Sequence, residues 1–344
     1  MKFDIEKLKK YEKEKWIYSH SHKELPLIIW NYSQFTQYEG KWDDITLNCR
    51  GLVTDLEGNV VSKGFSKFFN YSENKTDIPK DIEYIEVWEK VDGSYIGLFY
   101  YLDQWVVNSK GSFYSEQVEW AKEILDSLDL NKLNKNWTYC FELVVPGNRI
   151  VCDYGKEKSL YFLSAFYKGV EIDEIYPKEL QETIIKFPNL VQLNTFNPER
   201  LQKENKENEE GYVVKFTNGE RCKIKFEEYM RLHRIVTNTT SYDIWDHLRQ
   251  EKPFDEILDK IPDEFYNWVK EVKQDLEDKF NKKLQEIEDE FWQIIDKKYY
   301  AYRAKQSRNQ SYLFTRLNSY SDNLKHAIWR DIKPEFKKPF KDEY

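Results

Sequence analysis

The chain has 344 residues, 40% of them hydrophobic and 17% aromatic, which is enough for two or three packed domains and excludes a disordered or fibrous protein. Lys and Arg number 53 against 61 Asp and Glu, a formal charge of -8, so the surface as a whole does not advertise a nucleic-acid partner and any such partner has to be met by a local patch. One stretch departs from this: Lys297 to Tyr344 holds 12 basic and 5 acidic residues, a balance of +7 that leaves -15 for the rest. Cys49, Cys140, Cys152 and Cys222 make no Cys-x-x-Cys pair, so neither a zinc site nor a disulfide framework is expected and a reduced setting is. The first ten residues are too charged for a signal peptide and no apolar run reaches the length of a membrane span, so the expectation is a soluble, cytoplasmic protein without membrane contact.

In chain order, Ile5, Leu8 and Tyr11 at helical spacing predict a short amphipathic helix between Phe3 and Trp16. Leu25 to Trp30 is apolar, and Asn31 to Tyr38 reads as a polar-aromatic loop able to stack on a base or simply to pack. Cys49 to Asp55 and Glu57 to Val61 read as two short strands around a turn. Arg50 stands before Gly51, where its fork can meet a phosphate or a surface carboxylate, and Lys67 lies against Phe68 and Phe69.

Between Tyr84 and Lys90 a period of two puts Tyr84, Glu86, Trp88 and Lys90 on one face and Ile85 and Val87 on the other. Asp92-Gly93 follows, a pair that favours a tight turn with a glycine in a conformation other residues resist. A lysine fixed at a strand end beside a carboxylate suits covalent catalysis, yet taken alone this pattern fits an ordinary hairpin with a solvated lysine better. Tyr95 to Tyr101 and Trp105 to Ser109 predict a hairpin around Leu102-Asp103-Gln104, followed by Lys110-Gly111 and a helix from Glu116 to Leu130.

In Trp137 to Val145, Tyr139, Phe141, Leu143 and Val145 share one strand face, which leaves Glu142 with Cys140 and Val144 on the other. A carboxylate in such apolar company needs a cation or a metal, so Glu142 is a site candidate ahead of a solvated charge. Glu210 to Phe216 and Glu220 to Phe226 form a hairpin around Asn218-Gly219, with Cys222, Ile224 and Phe226 inward and Lys223 and Lys225 together on the opposite face. Two like charges so placed call for an anion such as a triphosphate, or else belong to an exposed polar face. Beyond Phe226 the pattern turns helical, with one long helix from Pro262 to Ile294. A basic stretch from Gln306 to Lys338 follows, interleaved with Tyr312, Phe314, Tyr320 and Trp329, and suits RNA contact or plain helical packing equally.

Taken together, Arg50-Gly51, Lys90-x-Asp92-Gly93-Ser94, Ser109-Lys110-Gly111-Ser112, Phe141-Glu142, Asn148-Arg149-Ile150-Val151, Glu210-Gly211-Tyr212-Val213 and Lys223-Ile224-Lys225 resemble the motifs of covalent nucleotidyltransferases. The Ser94 form and the Lys-Ile-Lys ending are most similar to the phage-type RNA ligase 1 family. The resemblance runs from about Trp30 to His233. It implies an α+β fold: an N-terminal nucleotidyltransferase (ATP-grasp-like) domain of antiparallel sheets flanked by helices over residues 1–235, then an all-helical domain over 236–344 concerned with the choice of RNA.

The implied activity is ATP-dependent joining of RNA 5′-phosphate and 3′-hydroxyl ends through a lysyl-AMP enzyme and an RNA-adenylate, in RNA repair and with cleaved tRNA as one expected substrate. By the same resemblance Lys90 is the nucleophile and Lys223 and Lys225 hold phosphate oxygens. Arg50, Lys67, Lys110 and Trp30 contact the nucleotide, Tyr229 lies at a further position the family uses, and Glu142 and Glu210 bind magnesium or manganese, partly through water. Asp255 is a candidate metal ligand in the tail. A monomer is expected, in the host-cell cytoplasm if the protein is viral. A DNA ligase or capping-type nucleotidyltransferase is an alternative, although those families usually carry arginine where Ser94 stands and a β-barrel where helices follow here. A non-catalytic RNA-binding protein on a ligase scaffold is the other.

Overall fold

The structure, a computed structural model, describes residues 1–73, 85–172, 177–181, 183–193, 196–237, 239–258, 266–293, 297–318 and 322–335. It divides into two compact units, Met1–Val236 and Thr237–Tyr344.

The first unit opens with helix α1 (Ile5–Lys13), whose N-cap Asp4 accepts hydrogen bonds from the Glu6 and Lys7 amides. Strands β1 (Ile17–Ser21), β2 (Leu27–Tyr32), β3 (Arg50–Asp55) and β4 (Val60–Ser62) form an antiparallel sheet in that order. Where a loop is expected after Trp30, the chain instead forms helix α2 (Gln34–Glu39). Ser33 caps it by accepting the Thr36 amide, and Tyr38 is packed inside.

Next come β5 (Phe69–Asn70), β6 (Ile85–Glu89), β7 (Ser94–Tyr101), β8 (Gln104–Ser109), helix α3 (Glu116–Leu125), β9 (Trp137–Val144), β10 (Ser159–Tyr167) and β11 (Val170–Glu171). Helix α4 (Lys178–Gln181), β12 (Leu190–Val191), helix α5 (Pro198–Gln202), β13 (Gly211–Phe216), β14 (Arg221–Lys225) and helix α6 (Glu227–Thr237) complete the set. They build a second sheet, ordered β11-β10-β9-β7-β8, and a third, ordered β12-β6-β13-β14-β5, in which only the β14–β5 pair is parallel.

The alternation read from the sequence decides what each sheet buries. Tyr139, Phe141 and Leu143 of β9 pack with Val118, Ala121 and Leu125 of α3 in one core, burial that stabilises by roughly 2–3 kcal/mol for each large side chain. Val87, Val214, Cys222, Ile224 and Phe226 build a second core behind the third sheet. The opposite faces of these two sheets are thereby turned toward each other.

One expectation fails at the centre. The segment from Lys90 to Gly93 is not a hairpin turn, because β6 pairs with β13 in the third sheet whereas β7 pairs with β9 in the second; the segment is the crossover between them. Gly93 does not adopt the left-handed conformation. It is glycine for lack of room, since a Cβ there would meet the Leu143 carbonyl oxygen at 2.3 Å.

The second unit is helical: α7 (Ser241–Arg249), α8 (Asp255–Leu258), the 28-residue α9 (Tyr266–Gln293), α10 (Lys297–Ala304), α11 (Gln310–Asn318) and α12 (Asp322–Asp331). Ile287, Tyr300, Tyr312, Leu313, Leu324 and Ile328 form its core, and Trp329 stacks on Phe280 with ring centroids 4.7 Å apart. Tyr312 and Trp329 therefore serve packing; Tyr320 lies outside the described residues. None of the described helices is long and apolar enough to cross a membrane.

Candidate active site

The facing sheets enclose a cleft of about 500 Å³, large enough for a nucleotide. Its floor is the end of β6. Glu86, Trp88 and Lys90 point into it, as the alternation requires, while Tyr84 and the Ile85 side chain lie outside the described residues. Lys90 Nζ donates to Glu210 Oε2 at 2.6 Å, and Lys225 Nζ stands 3.2 Å from Glu210 Oε1. The Glu210 side chain is only 3% exposed, so a nearly buried carboxylate holds two amines in fixed positions. The residue after it is constrained too. Gly211 has φ +143°, and a Cβ there would meet the Ile224 carbonyl at 2.1 Å.

Asp92 explains why Lys90 sits where it does. Buried at 4%, its carboxylate accepts the Val151 and Cys152 amides at 2.9 and 2.8 Å and the Tyr229 hydroxyl at 2.8 Å, while its own amide donates to the Tyr154 hydroxyl. The crossover is thus tied to the loop after β9 and to helix α6. Ser94 is fixed by Asn148, whose side-chain amide donates to its hydroxyl at 2.9 Å.

Glu142 reaches the cleft from β9, in register with Tyr95 of β7. Burial pushes its carboxyl up to about 7; Lys90 and Arg50 pull it down, while Glu210 and Asp92 push it up. Lys223 and Lys225 enter from β14, and Arg50 and Lys110 from the first and second sheets. The Arg50 guanidinium lies 5.2 Å from the Tyr95 ring centroid, and its Nη1 is buried without a hydrogen-bond partner among the described residues. Lys67 lies among three rings, 5.5 Å from the Tyr32 centroid and 5.3 Å from those of Trp42 and Phe69.

Trp30 is not brought to the cleft. It is 1% exposed and packs with Leu8, Ile17 and Leu52, its indole N–H donating to Thr54 Oγ1 at 3.0 Å. A β-bulge between Trp30 and Asn31 changes the face that β2 presents, so the aromatic beside the cations is Tyr32, which the sequence placed only within a polar-aromatic loop and did not single out. Lys110 Nζ lies 5.2 Å from the Tyr32 centroid. Burial raises the Tyr32 phenol, but Lys110, Lys67, Arg50 and Lys223 outweigh it and bring it down to about 7. The side chain of Asp255, at the start of α8, lies outside the described residues.

Arg50, Lys90, Lys110, Lys223 and Lys225 all line the cleft, and the Arg50 Nη1 lacks a hydrogen-bond partner among the described residues, a set of charges suited to an anion. Among the described residues no group of three or more His, Cys, Asp or Glu could hold a metal alone. Glu142 lines the cleft and Glu210 bridges Lys90 and Lys225, two carboxylates of the type that can meet a magnesium-type ion through its waters.

The fold is of the mixed α+β class, with sheets of mostly antiparallel strands and flanking helices in the first unit and helices in the described residues of the second. The profile of a family described as RNA ligase matches residues 48–232, more than half of the chain, and the chain belongs to that family, the phage-type RNA ligase 1 family. A protein of Autographa californica nuclear polyhedrosis virus, described as a bifunctional polynucleotide kinase/RNA ligase, is 26% identical over 243 residues, 62% of this chain and 34% of that protein. The match thus spans about a third of that relative's length. Among solved structures, a protein described as an ATP-dependent DNA ligase from Aquifex aeolicus is similar with a TM-score of 0.49 at 18% identity, over 83% of this chain and 81% of that one. An RNA ligase variant of Naegleria gruberi with ATP and Mn is similar with a TM-score of 0.36 at 17% identity, over 44% and 51%.

Proposed function

We propose that this chain is an ATP-dependent RNA ligase that works through AMP carried on Lys90. The observation that supports this most is the Lys90–Glu210–Lys225 cluster at the floor of a cation-lined cleft, within the segment that matches the family. In the first step the Lys90 amine attacks the α-phosphorus of ATP; an N–P bond forms, the P–O bond to the β-phosphate breaks, and pyrophosphate leaves. The 5′-phosphate of RNA then attacks the same phosphorus and releases Lys90, and an RNA 3′-hydroxyl displaces AMP to close the phosphodiester.

Each step is displacement at phosphorus, in which positioning and charge neutralisation carry the rate. Lys223, Lys225, Arg50, Lys67 and Lys110 supply positive charge for phosphate oxygens, and Tyr32 takes the nucleotide-side place expected of Trp30. Glu142 and Glu210 would hold the divalent ion, magnesium or manganese, which when bound supplies further neutralisation of the triphosphate. Residues 1–235 act as the adenylyltransferase domain. The helical unit, with exposed Tyr299 and Tyr302 near Arg303 and Lys305, selects the RNA, with broken tRNA as the proposed natural substrate.

Incubation with α-labelled ATP and magnesium tests the reading: wild-type protein takes up covalent AMP and Lys90→Ala does not. Absence of label on the wild type across a range of pH would sink it. Offering the labelled enzyme 5′-phosphorylated RNA and DNA in parallel separates RNA ligation from the DNA-ligase alternative.

A further inference from the structure

Glu171 belongs to β11, the edge strand of the second sheet, yet its carboxylate reaches across the cleft to the third. Arg221 Nη2 of β14 lies 2.6 and 2.7 Å from its two oxygens, and Lys215 Nζ of β13 lies 3.4 Å from Oε2. Ser164 of β10 donates its hydroxyl to Oε1 at 2.7 Å. Arg221 also covers the Phe65 ring, 5.1 Å from its centroid, and Phe65 packs edge-on against Phe166 of β10. Lys215 and Arg221 are direct cross-strand partners, so one carboxylate relieves a repulsion built into the third sheet while tying it to the second.

The place of this cluster matters more than its strength. Arg221, Lys223 and Lys225 occupy alternate positions on one face of β14, so Arg221 stands about 13 Å along the strand from Lys225 at two residues per step. The lining of the cleft also includes the apolar residues Phe162, Ile172, Phe187, Pro188 and Val213. With phosphate chemistry assigned to the Lys90 end, these residues offer an apolar surface suited to a flat nucleobase. An ion cluster whose side chains are 14 to 23% exposed gains little net stability, because desolvation offsets most of the attraction. What it does supply is a fixed distance between two walls. The strand that carries Glu171 is a short edge that pairs with β10 over two residues, with the Ile172 amide adding a bond to the Ala165 carbonyl at 2.8 Å, and the carboxylate ties this edge to the third sheet.

We propose that Glu171, with Arg221 and Lys215, forms a latch that sets the width of the cleft where Arg221 lines it and so positions the base of ATP. These are positioning residues, not catalytic ones, and the proposal rests on the nucleotide-transfer reading above. Breaking the latch weakens ATP binding and leaves the transfer step nearly intact, because the Lys90 end is held separately by Asp92.

The test uses the full chain with Glu171→Gln and with the exchange Glu171→Arg combined with Arg221→Glu, measuring both calorimetric ATP binding and the rate of self-adenylation. In Glu171→Gln the ATP concentration for half-maximal labelling rises about tenfold, while the limiting rate at saturating ATP stays within about twofold. The exchange recovers most of the lost affinity. Unchanged ATP affinity in a folded Glu171→Gln protein overturns the latch. So does a fall confined to the limiting rate, or an exchange that restores thermal stability without affinity. Wild-type protein that binds ATP but takes no label overturns the transfer reading alone and leaves the latch to be decided by the binding data; wild type that does neither overturns both.

Discussion

Lys90 and Lys225 share one carboxylate: Glu210 lies 2.6 Å from the first amine and 3.2 Å from the second. Removing it leaves two like charges close together in a poorly solvated place, with nothing to fix the nucleophile. Glu210→Ala is expected to cut the rate of covalent AMP uptake by roughly 100-fold or more, a loss in the range typical of removing one preorganised electrostatic group. Gel assay of labelled protein at saturating ATP checks this, and a rate within threefold of wild type would count against the role given to Glu210.

Asp92 is a support rather than a participant. It is buried and receives two amides and a phenol, so Asp92→Ala orphans three donors at once. A loss of about 3–5 kcal/mol in urea unfolding is expected, against about 1.5–3 kcal/mol for Tyr229→Phe, which removes a single hydrogen bond to a charged group. Equal effects from the two variants would show that the loop after β9 does not depend on Asp92.

Tyr32 yields a spectroscopic prediction. Its phenol, brought down to about 7, releases its proton in the folded protein well before it does in the unfolded chain, whose tyrosines keep their ordinary value of 10.0. Ultraviolet titration should therefore show one tyrosinate half formed near neutrality and absent from Tyr32→Phe. The sign for stability follows. A depressed folded-state value contributes stability that is complete above the unfolded value, grows as pH rises from about 7 toward 10, and is lost as pH falls through about 7. Because the cations that hold the phenolate are those proposed for phosphates, ATP should also drive proton uptake, visible as a buffer-dependent heat of binding.

The helical unit provides a prediction on substrate choice. Replacing Arg303, Lys305 and Arg308 by alanine should spare self-adenylation and weaken joining of structured RNA, with a shallower salt dependence because fewer phosphates are neutralised. Equal loss of both activities would refute a role confined to RNA.

What could be read in advance was whatever depends on local alternation. Strand parity places Glu142 opposite Phe141, and Lys223 and Lys225 opposite Ile224, and the structure keeps both arrangements. Events that break the alternation or join distant segments were not legible. The bulge at Trp30 and Asn31 exchanged one aromatic for another, and no period of two reports a bulge. The Asp92-Gly93 pair looked like a turn because it has turn composition, whereas its glycine answers a steric demand from Leu143 and its aspartate answers residues 59 and 60 positions away. Pairing such as that of Glu171 with Arg221, 50 positions apart, leaves no trace in either segment alone.

The Asp92–Tyr229 contact spans 137 positions, and the Lys90–Glu210 pair spans 120. During synthesis the lysine leaves the ribosome long before either partner exists, and long-range closures of this kind form late in folding. The chain is therefore expected to stay chemically inert toward ATP while nascent, and to become reactive only when helix α6 has emerged and docked, so that no half-made molecule can trap nucleotide on its lysine.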